Sequence, residues 1–217
     1  MNLKTSIASA FARLPAKILS LRDRQDGIAA VEFAMVLPIM VTMYLGCCEV
    51  SLGFSASKKV DSVARALSDL TSQAAAQITQ TQMNDIIAAA SGVMQPFDGA
   101  ATNLAITSFI MPTPAAGPVK AYTDWSYVRG GTAVACGDKS LLVPTGFLSP
   151  GKSIIKADVS YTYYPLLSGP FRTIGDGSVT SLNLTSTIWM QPRILPRVQL
   201  APGVAGACTY VPAKTFP

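Results

Sequence analysis

A chain of 217 residues with a net charge of +5 has room for one membrane segment and one domain of roughly 150 residues. It contains no histidine, which removes Ser-His-Asp and Cys-His nucleophile pairs, HExxH zinc sites and the usual pH switch together. Its basic residues form no stripe interleaved with aromatics, so no nucleic-acid partner is expected.

Residues 1–27 carry Lys4, Arg13, Lys17, Arg22 and Arg24 against Asp23 and Asp26. This is the pattern of a flank retained on the cytoplasmic side of a membrane segment. An apolar run follows from about Ile28 to Phe54, interrupted only by Glu32 and Glu49. Its charge-free interior, Phe33 to Cys48, makes about 24 Å of helix, short of a ~30 Å hydrocarbon core. The span must therefore reach one or both glutamates. These lie about 26 Å apart along a helix axis, so each carboxylate can rest near an opposite interface. Pro38 is tolerated in a membrane helix. An ordinary secretory signal has an apolar core of only about 7–15 residues, and Ser55-Ala56-Ser57 offers only a crude cleavage site. Cleavage after Gly27 would instead keep the helix in the mature protein.

Beyond the span, Val60, Val63, Ala64, Leu67 and Leu70 fall at three- and four-residue spacing, which predicts that the helix continues to about Gln77. Thr81 to Ala90 reads as a second helix stopped by Ser91-Gly92, and Pro96 to Gly99 as a turn. Four β-leaning segments come next: Leu104 to Ile110, Val119 to Val128, Ser153 to Tyr164 and Val179 to Met190. Pro165 to Gly177 is a loop between the last two. Pro192 and Pro196 end the final strand, and the tail to Pro217 reads as irregular. The expected fold is α+β: a long N-terminal transmembrane helix that continues outside the membrane and packs on a small antiparallel sheet. Its parts are a basic cytoplasmic leader over 1–27, removed by cleavage, a membrane helix over 28–54, an exposed helical segment over 55–95, and a β-rich extracytoplasmic domain over 96–217.

Cys136 and Cys208 are the only cysteines of that outer domain, where an oxidising compartment permits a disulfide between them. Cys47-Cys48 reads as small apolar filler near the outer end of the span. Gly146-Phe147-Leu148-Ser149-Pro150-Gly151-Lys152-Ser153 matches the GxxxxGK[ST] phosphate loop, whose chemistry needs a helix immediately after it. A strand pattern follows instead, so Gly146, Gly151, Lys152 and Ser153 are read as a turn and a chance match. Asn183-Leu184-Thr185 is a glycosylation sequon inside a predicted strand. Trp125, Tyr122 and Tyr127 read as strand packing rather than a sugar strip. Asp138, Asp158 and Asp176 form no calcium ladder, and Lys58-Lys59 reads as a solvated collar. No enzyme site, metal site or cofactor is expected.

Glu32 asks for another explanation. A charge at the centre of a spanning helix costs roughly 2.5–3.5 kcal/mol, and intramembrane acids usually have a function. Cleavage after Gly27 would give Ile28 a new α-amino group. In a helical stack of such subunits, that amine on a neighbour can pair with the Glu32 carboxylate and set the axial stagger.

Gly27 followed by Ile28-Ala29-Ala30-Val31-Glu32-Phe33-Ala34-Met35-Val36-Leu37-Pro38 resembles the processing site and VEFA-x-x-LP run of TadE-like pseudopilins of the tight-adherence (Flp, type IVc) pilus system. Similarity covers about residues 24–55. Val159 to Leu166 and Met190-Gln191-Pro192-Arg193 look like the closing strands of that family. The resemblance implies cleavage at Gly27-Ile28 by a prepilin peptidase, with Glu32 and Phe33 at the fifth and sixth mature positions. It also implies a single-pass inner-membrane protein, N-terminus cytoplasmic and outer domain periplasmic. The implied partners are the peptidase, other pilins and pseudopilins, the inner-membrane assembly platform and the lipid bilayer. A domain this large points to a minor subunit. The alternative is an unprocessed single-pass anchor whose outer domain binds a wall component or another protein.

Overall fold

The computed structural model describes residues 26–113, 118–137, 143–165 and 181–206. The chain divides into two units, Met1–Val50 and Ser51–Pro217, and one helix, α1 (Asp26–Ser72), passes through the boundary. In the first unit α1 buries nothing: its best apolar window has no buried residue. In the second unit the same helix acquires a core face. Ala56, Val60, Val63, Ala64, Leu67 and Thr71 are all at most 1% exposed, at the three- and four-residue spacing that lines up one side of a helix.

That stripe differs from the predicted one at its end. Leu70 is 37% exposed, and Thr71 takes the buried position. The cost of burying its hydroxyl is offset because it donates to the Leu67 carbonyl at 2.8 Å. The helix also stops at Ser72 rather than near Gln77, although Ala74, Ala75 and Ala76 favour helix. A tertiary pairing overrides that preference. The Ile78 N–H donates to Gln199 O, and the Ala201 N–H donates to Ile78 O, both at 2.9 Å. Ile78 is thereby placed in the core.

Helix α2 (Gln80–Gly92) starts on a capping box. The Gln82 N–H donates to Thr79 Oγ1 at 3.3 Å, and the Thr79 N–H donates to Gln82 Oε1 at 2.9 Å. Its buried face is Met83, Ile87 and Ala90.

Four strands follow: β1 (Thr102–Met111), β2 (Tyr122–Arg129), β3 (Lys152–Tyr163) and β4 (Leu182–Met190). They form one antiparallel sheet in the order β2-β1-β3-β4. Strand β2 begins three residues later than predicted, because Val119 and Ala121 pack on a second apolar cluster instead of joining the ladder. Most of the predicted loop Pro165 to Gly177, and Val179 at the predicted start of β4, lie outside the described residues.

Alternation along the strands divides the sheet into two faces. Leu104, Ile106, Trp125, Ile155, Ala157 and Val159 join the buried residues of α1 and α2 in one core. On the other face Phe109, Met111, Ile154 and Val143 form a smaller cluster, with Phe147, Leu148 and Trp189 against it. A bulge between Ser108 and Phe109, where the register passes from Trp125 to Thr123, lies where β1 changes from feeding one cluster to feeding the other.

The segment after β4 is irregular, as predicted, yet it is structural. Val198, Leu200 and Val204 are buried in the main core. Arg197 makes a two-pronged ion pair with Asp124 of β2, 2.8 Å from Nε to Oδ2 and 2.5 Å from Nη2 to Oδ1. The Asp124 side chain is 3% exposed, so its charge depends on that partner. We expect Arg197→Ala to destabilise the second unit by about 3 kcal/mol, as for a broken buried pair. Asp124→Asn combined with Arg197→Met should cost less than the single change, which chemical unfolding monitored at Trp125 will read.

Candidate processing and assembly site

The N-terminal stretch of α1 carries the residues singled out by sequence. Gly27 is the second residue of the helix, and a Cβ placed there would meet nothing within 4 Å. Its φ is not positive either, so neither packing nor backbone geometry asks for glycine. Ile28 is 56% exposed and Phe33 60% exposed. Ile28 and Glu32 stand four residues apart, on one face one turn from each other. Among the described residues Glu32 has no hydrogen-bond or ion-pair partner.

Around that carboxylate the helix is apolar on every side. Val31, Met35, Val36, Leu37, Ile39, Met40, Val41, Met43 and Tyr44 are all more than two-fifths exposed. A helix that is apolar all round belongs in a core or in lipid, and no other part of the described chain covers this one. Residues 27–50 make about 36 Å of helix, enough for a ~30 Å hydrocarbon core. The backbone suits that environment, since a helix satisfies its own polar groups. Pro38 removes one donor inside α1. Nearby, the Thr42 hydroxyl is 2.9 Å from both the Pro38 and Ile39 carbonyls, so this polar side chain is satisfied within its own helix.

Residues 27–68 match the family model described as TadE-like protein. This stretch is similar to TadE-like proteins. The match begins at Gly27, takes in Glu32 and the whole exposed apolar run, and ends within the buried stripe at Ser68. It runs past the end expected at about 55, covers about a fifth of the chain, and leaves the segments 159–166 and 190–193 outside. No curated protein and no solved structure matches. The apolar helix within the matched stretch is long enough to cross a membrane.

The other sequence-derived candidates fall in different places. Gly146 sits in a single 3-10 turn, Thr145–Phe147. Gly151 has φ +68°, and its N–H donates to Met111 O at 2.8 Å. Lys152 then opens β3, and the buried Ser153 hydroxyl donates to Pro196 O at 2.9 Å. The loop amide and the hydroxyl that would face a phosphate are thus engaged within the fold. Trp125 is a core residue whose Nε1–H donates to Val198 O at 2.8 Å. The Tyr127 ring packs against the main core, and its hydroxyl is 3.3 Å from Gln80 Nε2. Asp158 pairs with Lys156 at 2.7 Å, whereas Asp138 and Asp176 lie outside the described residues. Among the described residues no group of three potential metal ligands occurs.

Several structural residues carried no local signal. Arg129 donates to Ser91 Oγ and Gly99 O at 2.8 Å and to Thr102 O at 3.0 Å. It thereby binds the C-terminal end of α2 to the sheet. Asp61 of α1 accepts from the Ser186 hydroxyl at 2.9 Å. That bond, with the Arg65 guanidinium beside it, holds the Asp61 carboxyl below its ordinary value.

Cys47 and Cys48 are free thiols. Cys136 is disulfide-bonded, and Cys208 lies outside the described residues. Proteolysis without reductant should release one peptide pair linking Cys136 to Cys208, separable by reductant in mass spectrometry. A Cys136 peptide linked to Cys47 or Cys48 would refute that pairing.

Proposed function

We propose that this protein is a minor pseudopilin that takes part in assembly of a Tad/Flp-type pilus. It is inserted in the bacterial inner membrane with its N-terminus in the cytoplasm and its outer domain in the periplasm. A prepilin peptidase cuts it between Gly27 and Ile28. Its role is structural rather than enzymatic, and its partners are other pilins and pseudopilins and the inner-membrane assembly platform.

One observation carries the reading. An apolar stretch of α1 without cover from the described chain follows a glycine that the fold does not need, and five residues after that glycine it presents an acid unpaired among the described residues. Each part has a use in this proposal. The apolar surface passes first into lipid and then into a bundle of like helices. Glycine gives the peptidase an unobstructed backbone at the cut. The carboxylate would be strongly destabilising in a dry bundle if left alone, and the new α-amino group of Ile28 on an adjacent subunit neutralises it. Because both charges sit at fixed positions along the helix, their pairing sets the stagger between subunits. Such registry is the best-attested use of a buried ion pair.

The alternative is an uncleaved anchor that displays a binding domain. What favours it is a concavity of about 310 Å³ on the sheet, lined in part by Asn103, Gly130, Asp158, Ser160, Thr185 and Thr187. N-terminal sequencing of the mature protein separates the two. We expect a chain starting at Ile28, whereas an intact leader in pilus-producing cells would leave the anchored binding domain as the better reading. Separately, Glu32→Ala should insert in the membrane as the parent does, yet lose at least tenfold in incorporation or pilus output. Normal assembly by that variant would defeat the charge-pairing argument.

A further inference from the structure

The outer unit carries a second apolar surface, at the end of the sheet where α1 enters it. On α1, Leu52 is 39% and Phe54 64% exposed. Between them lies Gly53, whose Cβ position is 3.7 Å from Tyr163 Cε1. Tyr163 ends β3, and its ladder partner is Leu182, the first residue of β4, which is 44% exposed. The next residue, Tyr164, is 67% exposed. Phe97 supports the group from inside, 6.3 Å from the Tyr161 ring and 6.4 Å from the Tyr163 ring. The Gly53–Tyr163 approach brings this part of α1 to the end of β3 and the start of β4, so Leu52, Phe54, Tyr164 and Leu182 all lie at one end of the sheet.

These residues have no core role, yet they sit where the chain leaves the TadE-like apolar run. Leu52 is two residues and Phe54 four residues beyond Val50, so chain connectivity alone keeps this end of the domain near the membrane boundary. Aromatic residues with one apolar and one polar end concentrate at that boundary. The first cation beyond the span supplies the matching charge. The Lys58 ammonium lies 5.3 Å from the Phe54 ring centroid, and such a side chain can lay its stem on apolar surface while its head reaches lipid phosphate.

We propose that Leu52, Phe54, Tyr164 and Leu182, with Lys58, form a lipid-contacting foot that rests the outer domain on the periplasmic leaflet. The foot rests on the membrane-anchor reading. Docked, it covers the exposed aromatic surface and restrains the domain before assembly. Extraction of the helix into a filament must release it.

The test uses the full chain in vesicles of phosphatidylethanolamine and phosphatidylglycerol whose acyl chains carry bromine, a contact quencher of tryptophan. Tyr164→Trp and Leu182→Trp are two independent reporters of the foot. Tyr44→Trp reports the span. Lys152→Trp reports the far end of β3, roughly 36 Å away along the strand at ~3.3 Å per residue. With the parent signal subtracted, we expect Tyr44→Trp to be quenched and the two foot reporters to lose about half their emission. Lys152→Trp should be unaffected. Quenching at position 44 with none at 164 or 182 would overturn the foot while leaving the anchor intact. Equal quenching at 152 would also overturn it, since the whole domain would then be adsorbed without a preferred end. Absence of quenching at 44 would remove the anchor reading and the foot together.

Discussion

Apolar side chains from Ile28 to Tyr44 have no cover from the rest of the described chain, and nearly everything else about the molecule follows from that constraint. Apolar surface in water is unfavourable by roughly 25 cal/mol per Å², so a run of such residues on all sides of a helix cannot stay solvated. A helix meets the second demand of a non-aqueous medium, because its backbone polar groups bond one another. The surface can thus be covered by lipid or by other helices without any change in conformation. The same element suits an anchor and a packing unit.

Past Val50 the constraint changes character within one continuous helix. The apolar residues narrow to a stripe, and the other faces become polar. Asp61 meets Ser186 and Arg65, Asp69 meets Arg193, and Lys58 lies over Phe54. The stripe is completed by residues from other elements of the second unit, including Met83 of α2, Ile106 of β1, Trp125 of β2, Val159 of β3 and Leu200 of the closing segment. None of those elements could bury its own apolar face alone. The second unit is therefore built upon its own part of the helix, from Ser51 to Ser72.

Features with short-range physical causes were legible in the sequence. The membrane run, the stripe beginning at Val60, helix α2 and the four strands follow from hydrophobic period and composition. Features decided at long range were not. Leu70 and Thr71 are equally spaced candidates for one buried position, and nothing local says that a threonine bonding to its own helix will take it. The Ala74-Ala75-Ala76 run favours helix, but a pairing between Ile78 and Leu200 ends it. Arg197 and Asp124 lie 73 positions apart in stretches that read as a tail and a strand. Sheet order was also hidden, since alternation gives each strand two faces but not its neighbours.

The candidate site divides along the same line. Gly27 and Glu32 are legible because the fold does not explain them. Glycine there relieves no clash and adopts no left-handed backbone, and the carboxylate meets no partner among the described residues. A residue that its own structure leaves unexplained is best accounted for by what later acts on it. The phosphate-loop match shows the reverse case. Gly151 and Ser153 are fully explained by the turn into β3, where the first donates to Met111 and the second to Pro196. A motif whose polar groups are already engaged within the fold leaves little for a ligand to bind. By that criterion the start of α1 is the better candidate, because a cleavage after Gly27 would create a cation for Glu32, which has no partner among the described residues.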